Sequence, residues 1–241
     1  MNNKSSIQAS IIYDNNPFDK TLKTGWGFSC LVEGLDKTIL FDTGASGPLL
    51  LENMEKLGIL PYDIDSVFLS HFHRDHFGGL GDLLRKNPHI EIWLPKFFPS
   101  SFKESLKNKK AIFKEVEGTQ EICEGAYTTG VISGWIKEQS LVLDSDKGLV
   151  IVTGCAHPRI TNIIAKGKEL FNKDIFITFG GFHLAGFDDG EIMEIIETFR
   201  GFGVKKVGPC HCSGEDARRL FAREYGKDFI RLGAGRKLRI Q

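Results

Sequence analysis

Residues 67–79 read VFLSHFHRDHFGG, an apolar run followed at once by His71, His73, Asp75 and His76. Three of the chain's seven histidines fall within this one short stretch, so composition alone does not account for them. Polar groups crowded at the end of a buried run cost folding energy unless something pairs with them. A divalent metal is the partner that suits imidazoles and a carboxylate together. The remaining ligands must then come from distant parts of the chain, and the fold must bring those parts to one place.

The length of 241 residues suits one large α/β domain, and a hydrophobic fraction of 41% supplies a sizeable core. Thirty-one basic residues balance 31 acidic ones. A nucleic acid or an anionic membrane surface would call for a basic excess, so neither is expected as a partner. The lysines at 103, 107, 109 and 110 read as a solvated helix face. No stretch approaches the roughly 18 apolar residues that span a bilayer, and the N-terminal MNNKSSIQASIIYDNN lacks the apolar centre of a leader. A cytoplasmic location is expected. Five scattered cysteines do not form a disulfide framework.

Short apolar runs alternate with amphipathic stretches. FSCLVEG and KTILFDTG read as a hairpin, and SGPLLLENMEKLGI as a helix with Ser46 as its cap. SVFLSH has the apolar character of a central strand, FGGLGDLLRKN follows as a short helix, and HIEIWLP returns as a strand. The second half repeats the rhythm. SLVLDSDKGLVIVTG reads as two strands, RITNIIAKGKELF as a helix and DIFITFGGFHL as a strand entering a loop. DGEIMEIIETFRGFG is a helix, KKVGPCHCSG a strand running into a loop, GEDARRLFAREYG a last helix, and FIRLGAGRKLRI a closing strand or hairpin. Ligand-rich loops between strand and helix gather at one edge of a layered α/β structure.

Three further strand ends carry a histidine: LVIVTGCAH (His157), IFITFGGFH (His183) and KVGPCHCSG (His211). The combined imidazole and carboxylate set suits zinc first, with iron or manganese as alternatives, and lacks the carboxylate dominance of a calcium site. His71 and His73, two apart in extended backbone, point the same way and grip one ion. Asp75 and His76, past a turn, reach a second ion about 3.5–4 Å away. The chemistry needs neutral imidazoles, so activity should fall below about pH 6. The glycines at 78 and 79 let the following helix approach closely, and its start offers a place for an anionic group. Cys155 reads as a small buried hydrophobe before it reads as a ligand, and the lone Cys210-x-Cys212 pair is weak evidence for a zinc knuckle.

These motifs, in this order, resemble the metallo-β-lactamase superfamily, whose H-x-H-x-D-H signature stands here as His71-Phe72-His73-Arg74-Asp75-His76. LFDTG (residues 40–44) matches the superfamily's early strand-end aspartate. LSHFHRDHFGGL, TGCAHPRITNI, GGFHL and PCHCSG together are similar to a narrower branch. That branch comprises stand-alone metal-dependent hydrolases related to dihydropterin ribofuranosylaminobenzene phosphate synthase. The resemblance implies an α/β fold, a four-layer αβ/βα sandwich over residues 1–241 as a single domain, with the site at one edge between the sheets. It implies His71, His73 and His157 at one metal, Asp75, His76 and His211 at the other, and Asp42 as a support for a ligand.

Two positions depart from the family pattern. Where an aspartate commonly bridges the metals this chain has Gly154-Cys155, which leaves open a bridging Cys155 or a weak or empty second site. Trp26 stands where the branch often carries a histidine. The implied activity is metal-dependent hydrolysis of an ester, phosphoester or lactone-type small molecule, an anionic one included, with one or two divalent transition-metal ions and with Asp75 and His183 in catalysis. The alternatives are a phosphoribosyl or pterin-pathway synthase and a non-catalytic metal-binding ligand sensor.

Overall fold

The computed structural model describes residues 6–240. The first five residues of the stretch read above for a leader therefore lie outside it. In chain order the elements are β1 (Gln8–Tyr13), β2 (Ser29–Glu33), β3 (Ile39–Phe41), α1 (Gly47–Leu57), β4 (Ser66–Phe68), α2 (Arg74–Phe77), α3 (Leu80–Lys86), β5 (Glu91–Pro95), α4 (Ser100–Asn108) and β6 (Ile112–Val116). They continue as β7 (Gln120–Cys123), β8 (Ala126–Thr128), β9 (Leu141–Ser145), β10 (Gly148–Thr153), α5 (Ile160–Phe171), β11 (Ile175–Gly181), α6 (Asp189–Gly201), β12 (Lys206–Cys210), α7 (Glu215–Tyr225) and β13 (Lys237–Arg239).

Among the described residues, one sheet has seven strands in the order β13-β1-β2-β3-β4-β5-β6, and the other six in the order β12-β11-β10-β9-β8-β7. The sheets face each other across a core that takes Phe28, Phe41, Phe68 and Trp93 from the first and Leu141, Val150, Val152 and Phe179 from the second. Phe41 stacks on Phe68 with ring centroids 5.3 Å apart. Each such fully buried ring contributes about 1.5–3 kcal/mol relative to exposure. A second apolar layer seats α5, α6 and α7 on the outer face of the second sheet. A third seats α1, α3 and α4 on the first. The result is the expected four-layer αβ/βα sandwich.

The strands read from apolar runs are present, and FIRLGAGRKLRI closes as one strand, β13, paired antiparallel with β1. Strands β1, β6, β7 and β8 had no distinct sequence signal. Strand β6 carries Lys114 and Glu115 at the edge of its sheet, where charge keeps an open ladder from recruiting another chain.

Strands β3, β4, β5 and β6 run parallel, as do β10, β11 and β12. Two antiparallel pairings, β1 with β2 and β2 with β3, leave β1 pointing the same way as β3. In open α/β sheets ligand sites form beyond the carboxyl ends of parallel strands. Asp42 follows β3, His71 lies beyond β4, Cys155 and His157 beyond β10, His183 beyond β11, and His211 follows β12.

The helix start at Gly78–Gly79 does not serve as the expected anion site. The Gly79 N–H donates to Gly44 O (3.1 Å) and the Gly78 N–H to Arg74 O (2.7 Å). A Cβ at Gly79 would run into the carbonyl oxygen of Thr43, and one at Gly78 into that of Ala45. These glycines serve close backbone approach, clamping the metal-motif loop against the turn after β3. We expect Gly79→Ala to lower stability by about 1–3 kcal/mol through overpacking, read as a shifted urea midpoint at unchanged m-value.

Candidate metal centre

The motif loop leaves β4 in an extended path through His73 and then turns into α2, which carries Asp75 and His76. His71 Nε2 stands 3.0 Å from His73 Nδ1, and His157 Nε2 stands 3.2 Å from the same nitrogen. Two nitrogens bound tetrahedrally at about 2.0–2.1 Å from one ion lie about 3.3 Å apart, so the spacing is that of ligands around a common cation. A second group, Asp75, His76, Cys155 and His211, offers donor atoms that all lie within 4.8 Å of one another. His76 Nε2 is 3.2 Å from Cys155 Sγ and 3.4 Å from Asp75 Oδ2, and His211 Nε2 is 3.3 Å from that same oxygen. His211 Nε2 is buried with no hydrogen-bond partner among the described residues. A buried nitrogen left this way is costly, and a cation in the group would satisfy it. The donor set therefore fits one or two divalent transition-metal ions.

The far nitrogens of three of these rings, His71, His76 and His211, are held by the protein. Asp42, fully buried, accepts the Ser70 N–H at 2.8 Å and the Ser70 hydroxyl at 2.7 Å. The same carboxylate accepts His76 Nδ1–H at 2.7 Å. Because the Ser70 hydroxyl is spent on Asp42, its oxygen accepts His71 Nδ1–H at 2.9 Å. One carboxylate thus fixes two tautomers, His76 directly and His71 through Ser70, and leaves both Nε2 lone pairs facing the groups of donors. Asn15 does the same for His211, its Oδ1 accepting Nδ1–H at 2.8 Å while its Nδ2 donates to the His211 carbonyl at 3.0 Å.

Glu138 holds the remaining loop. Its carboxylate is buried and accepts three consecutive backbone N–H groups, Cys155 (2.9 Å), Ala156 (3.0 Å) and His157 (2.9 Å). Burial pushes its pKa up against the pull of those three bonds. The loop they anchor presents both Cys155 and His157, and Ala156 within it adopts φ 63°.

All six expected metal residues, His71, His73, Asp75, His76, His157 and His211, converge here, and Cys155 stands among them. His183 lies beside them, its ring centroid 4.4 Å from that of His157, and it is exposed. Its bond with Cys212 raises its pKa above the ordinary histidine value. Cys210 separates from this cluster and is buried in the core between the sheets. Ser70, Asn15 and Glu138 gave no motif in the sequence. The nearest signals are an acidic residue directly ahead of the apolar run QSLVL and a pair of asparagines directly after IIYD.

A model of the metallo-β-lactamase superfamily matches residues 27–168. The chain belongs to this superfamily. Among curated proteins, 7,8-dihydropterin-6-methyl-4-(β-D-ribofuranosyl)-aminobenzene-5′-phosphate synthase of Methanocaldococcus jannaschii is 31% identical to it, over 89% of this chain and 90% of its own. Tm1679, a solved metal-dependent hydrolase of the superfamily, superposes with a TM-score of 0.82 at 31% identity, covering 98% of this chain and 99% of its own. YhfI of Bacillus subtilis, a metallo-β-lactamase fold protein, shares the fold at a TM-score of 0.73 and 15% identity, over 98% and 99% of the two chains. No helix among the described residues is long and apolar enough to cross a membrane.

In the metal-free protein the two groups differ in charge. Burial, reinforced by neighbouring imidazoles, pushes His71 well below its ordinary value and His157 down to about 3, and burial lowers His73 as well. Burial also works against a charge on His76, but Asp42 and Asp75 lift it to about 10. Burial opposes the Asp75 charge too, and contacts with His211 and His76 nevertheless hold its carboxyl well below the usual range. All three imidazoles of the first group are thus shifted towards the neutral form that binds a cation, whereas the second group must release the His76 proton to take an ion. We expect metal titration to give one tightly bound ion per chain at about pH 6 and a second whose affinity rises with pH, accompanied by proton release in calorimetry. Identical pH dependence for both ions would contradict this order. Asp42→Ala, which frees both rings, should weaken metal binding by about 10–100-fold in competition with a chelator.

Proposed function

We propose that this chain is a metal-dependent hydrolase acting on an ester, phosphoester or lactone-type small molecule. The observation that carries the reading is the pair of donor groups, with the rings of His71, His76 and His211 fixed by the protein, beside a cavity of about 300 Å³ that His157 of the first group and His183 line. His71, His73 and His157 would hold one ion, and Asp75, His76 and His211 a second, with Cys155 between His76 and the neighbouring loop. Zinc suits this donor set best, and iron or manganese would also be accommodated. Such ions lower the pKa of water towards neutrality and polarise a substrate oxygen.

The chain's own residues supply the rest. Asp75 is held ionised, so one of its oxygens is free to accept a hydrogen bond from the attacking nucleophile and orient it. His183, with a raised pKa and an exposed ring at the cavity edge, donates a proton to the departing oxygen. Trp26, with its ring centroid 5.1 Å from that of His211, and Trp135, 6.0 Å from that of His157, stand exposed beside the two groups, where a substrate would meet them. The substrate is a small molecule, and neither a nucleic acid nor a membrane is part of this reading. Location in the cytoplasm is consistent with five free thiols.

The curated relative named as a synthase favours a second reading, bond formation on a pterin or ribofuranosyl phosphate substrate. The two separate in one experiment. Metal-loaded protein is assayed against phosphoesters, carboxylic esters and lactones, and against synthase substrates with product analysis. Under the hydrolase reading one of the former classes turns over. His73→Ala should then abolish turnover together with metal, whereas His183→Ala lowers kcat by about 10²–10⁴-fold at unchanged metal content. Turnover of a synthase pair without net hydrolysis supports the second reading. Hydrolysis that survives His73→Ala rejects the site.

A further inference from the structure

The cavity beside His157 and His183 has a wall that the metal chemistry does not use. It runs between the start of α5 and helix α6 and is lined by Arg159, Ile160, Phe187, Glu191, Glu194 and Ile195 besides the two histidines. Arg159 is exposed, and its side chain makes no hydrogen bond or ion pair among the described residues. Its backbone sits at φ 74° and ψ 131°, a region that disfavours any residue with a Cβ. Glycine would occupy that position without strain, so the local fold gives no reason for an arginine there. Arg159 also stands at the N-cap of α5, a helix whose first turn carries no acidic residue, so the helix field and the guanidinium act in the same sense.

The other charges on the cavity narrow what it takes. The Glu191 carboxylate accepts the N–H of Asp188 at 3.0 Å and is occupied in the cap of α6. Glu194, on the same helix, offers a carboxylate that repels a second anionic group. Apart from the Thr161 hydroxyl, the rest of the lining is apolar, chiefly Ile160, Phe182, Leu184, Phe187 and Ile195.

We propose that Arg159 and this cavity form a subsite for a single terminal oxyanion, a phosphate-type or carboxylate group, on a substrate whose apolar body lies against Ile160, Phe187 and Ile195. A guanidinium grips such a group through two parallel N–H donors, which a lysine reproduces only as a point charge. This rests on the hydrolase reading in placing substrate at the donor groups. It moves the anion from the Gly78–Gly79 helix start, where backbone carbonyls occupy the N–H groups, to the opposite side of the site.

The test is binding, not turnover, so it stands whether or not a hydrolysed substrate has been found. Metal-replete wild-type protein, Arg159→Gln, Arg159→Lys and Arg159→Gly are titrated by calorimetry with phenylphosphonate, benzoate and benzyl alcohol. Wild-type protein should bind at least one of the two anions, and Arg159→Gln should weaken that binding by about tenfold or more. Arg159→Lys should retain part of it, and benzyl alcohol should not distinguish the four proteins. The tighter anion identifies the oxyanion class. Arg159→Gly should lose affinity while its melting temperature holds or rises, because glycine relieves the backbone. Equal anion affinity in wild-type and Arg159→Gln would place the anion on the metal alone and overturn the proposal, leaving the hydrolase reading to its own His73→Ala assay. Absence of anion binding by wild-type protein at millimolar concentration overturns it as well. So does a lowered melting temperature in Arg159→Gly, since the arginine would then be structural.

Discussion

A single buried carboxylate, Asp42, fixes the orientation of half the motif. It sits at the end of β3 with φ 53°, accepts both donors of Ser70, and takes the Nδ1 proton of His76. Without that acceptor the Ser70 hydroxyl is free to turn, His71 has no fixed partner, and two imidazoles lose the tautomer that directs Nε2 inward. The cost of burying Asp42 is offset by three hydrogen bonds, and those bonds are what aim the metal-facing nitrogens. The glycines at 78 and 79 belong to the same device, because they bring the motif loop close enough to β3 for Asp42 to reach it.

Two further acceptors repeat the principle with different chemistry. Asn15 is neutral and close to solvent, and it orients one ring from the loop after β1. Glu138 is acidic and deeply buried, and it shapes a loop by collecting three consecutive backbone N–H groups. The donors come from loops on both sheets, and each loop has its own anchor. Preorganisation of this kind leaves little rearrangement to be made when a cation enters.

The metal motif was legible because its chemistry is local: four ligand-type residues in six positions, after an apolar strand, point to a bound cation and to little else. The layered fold was legible from apolar runs and from the motif order. Asn15 and Glu138 were not, because their partners are backbone groups and ring nitrogens 196 and 17 to 19 residues away, and no spacing rule encodes such contacts. Strands β7 and β8 were missed for a related reason. They are short and partly polar, and it is pairing with β9 that makes them strands. The Gly78–Gly79 reading held for close backbone approach and erred only in adding an anion, because glycines that admit a ligand and glycines that admit another backbone look the same in sequence.

The two donor groups also tie the halves of the sandwich together. His71, His73, Asp75 and His76 hang from the first sheet, while Cys155, His157 and His211 hang from the second. Neither sheet holds a complete coordination sphere, so an occupied centre is a cross-link whose strength depends on the register of the two sheets. Affinity for the cation then becomes a gauge of how well Phe41, Phe68 and Phe179 interlock some distance from it. A conservative change in that apolar interior, remote from every ligand, alters the free energy of loading because binding and docking are one equilibrium.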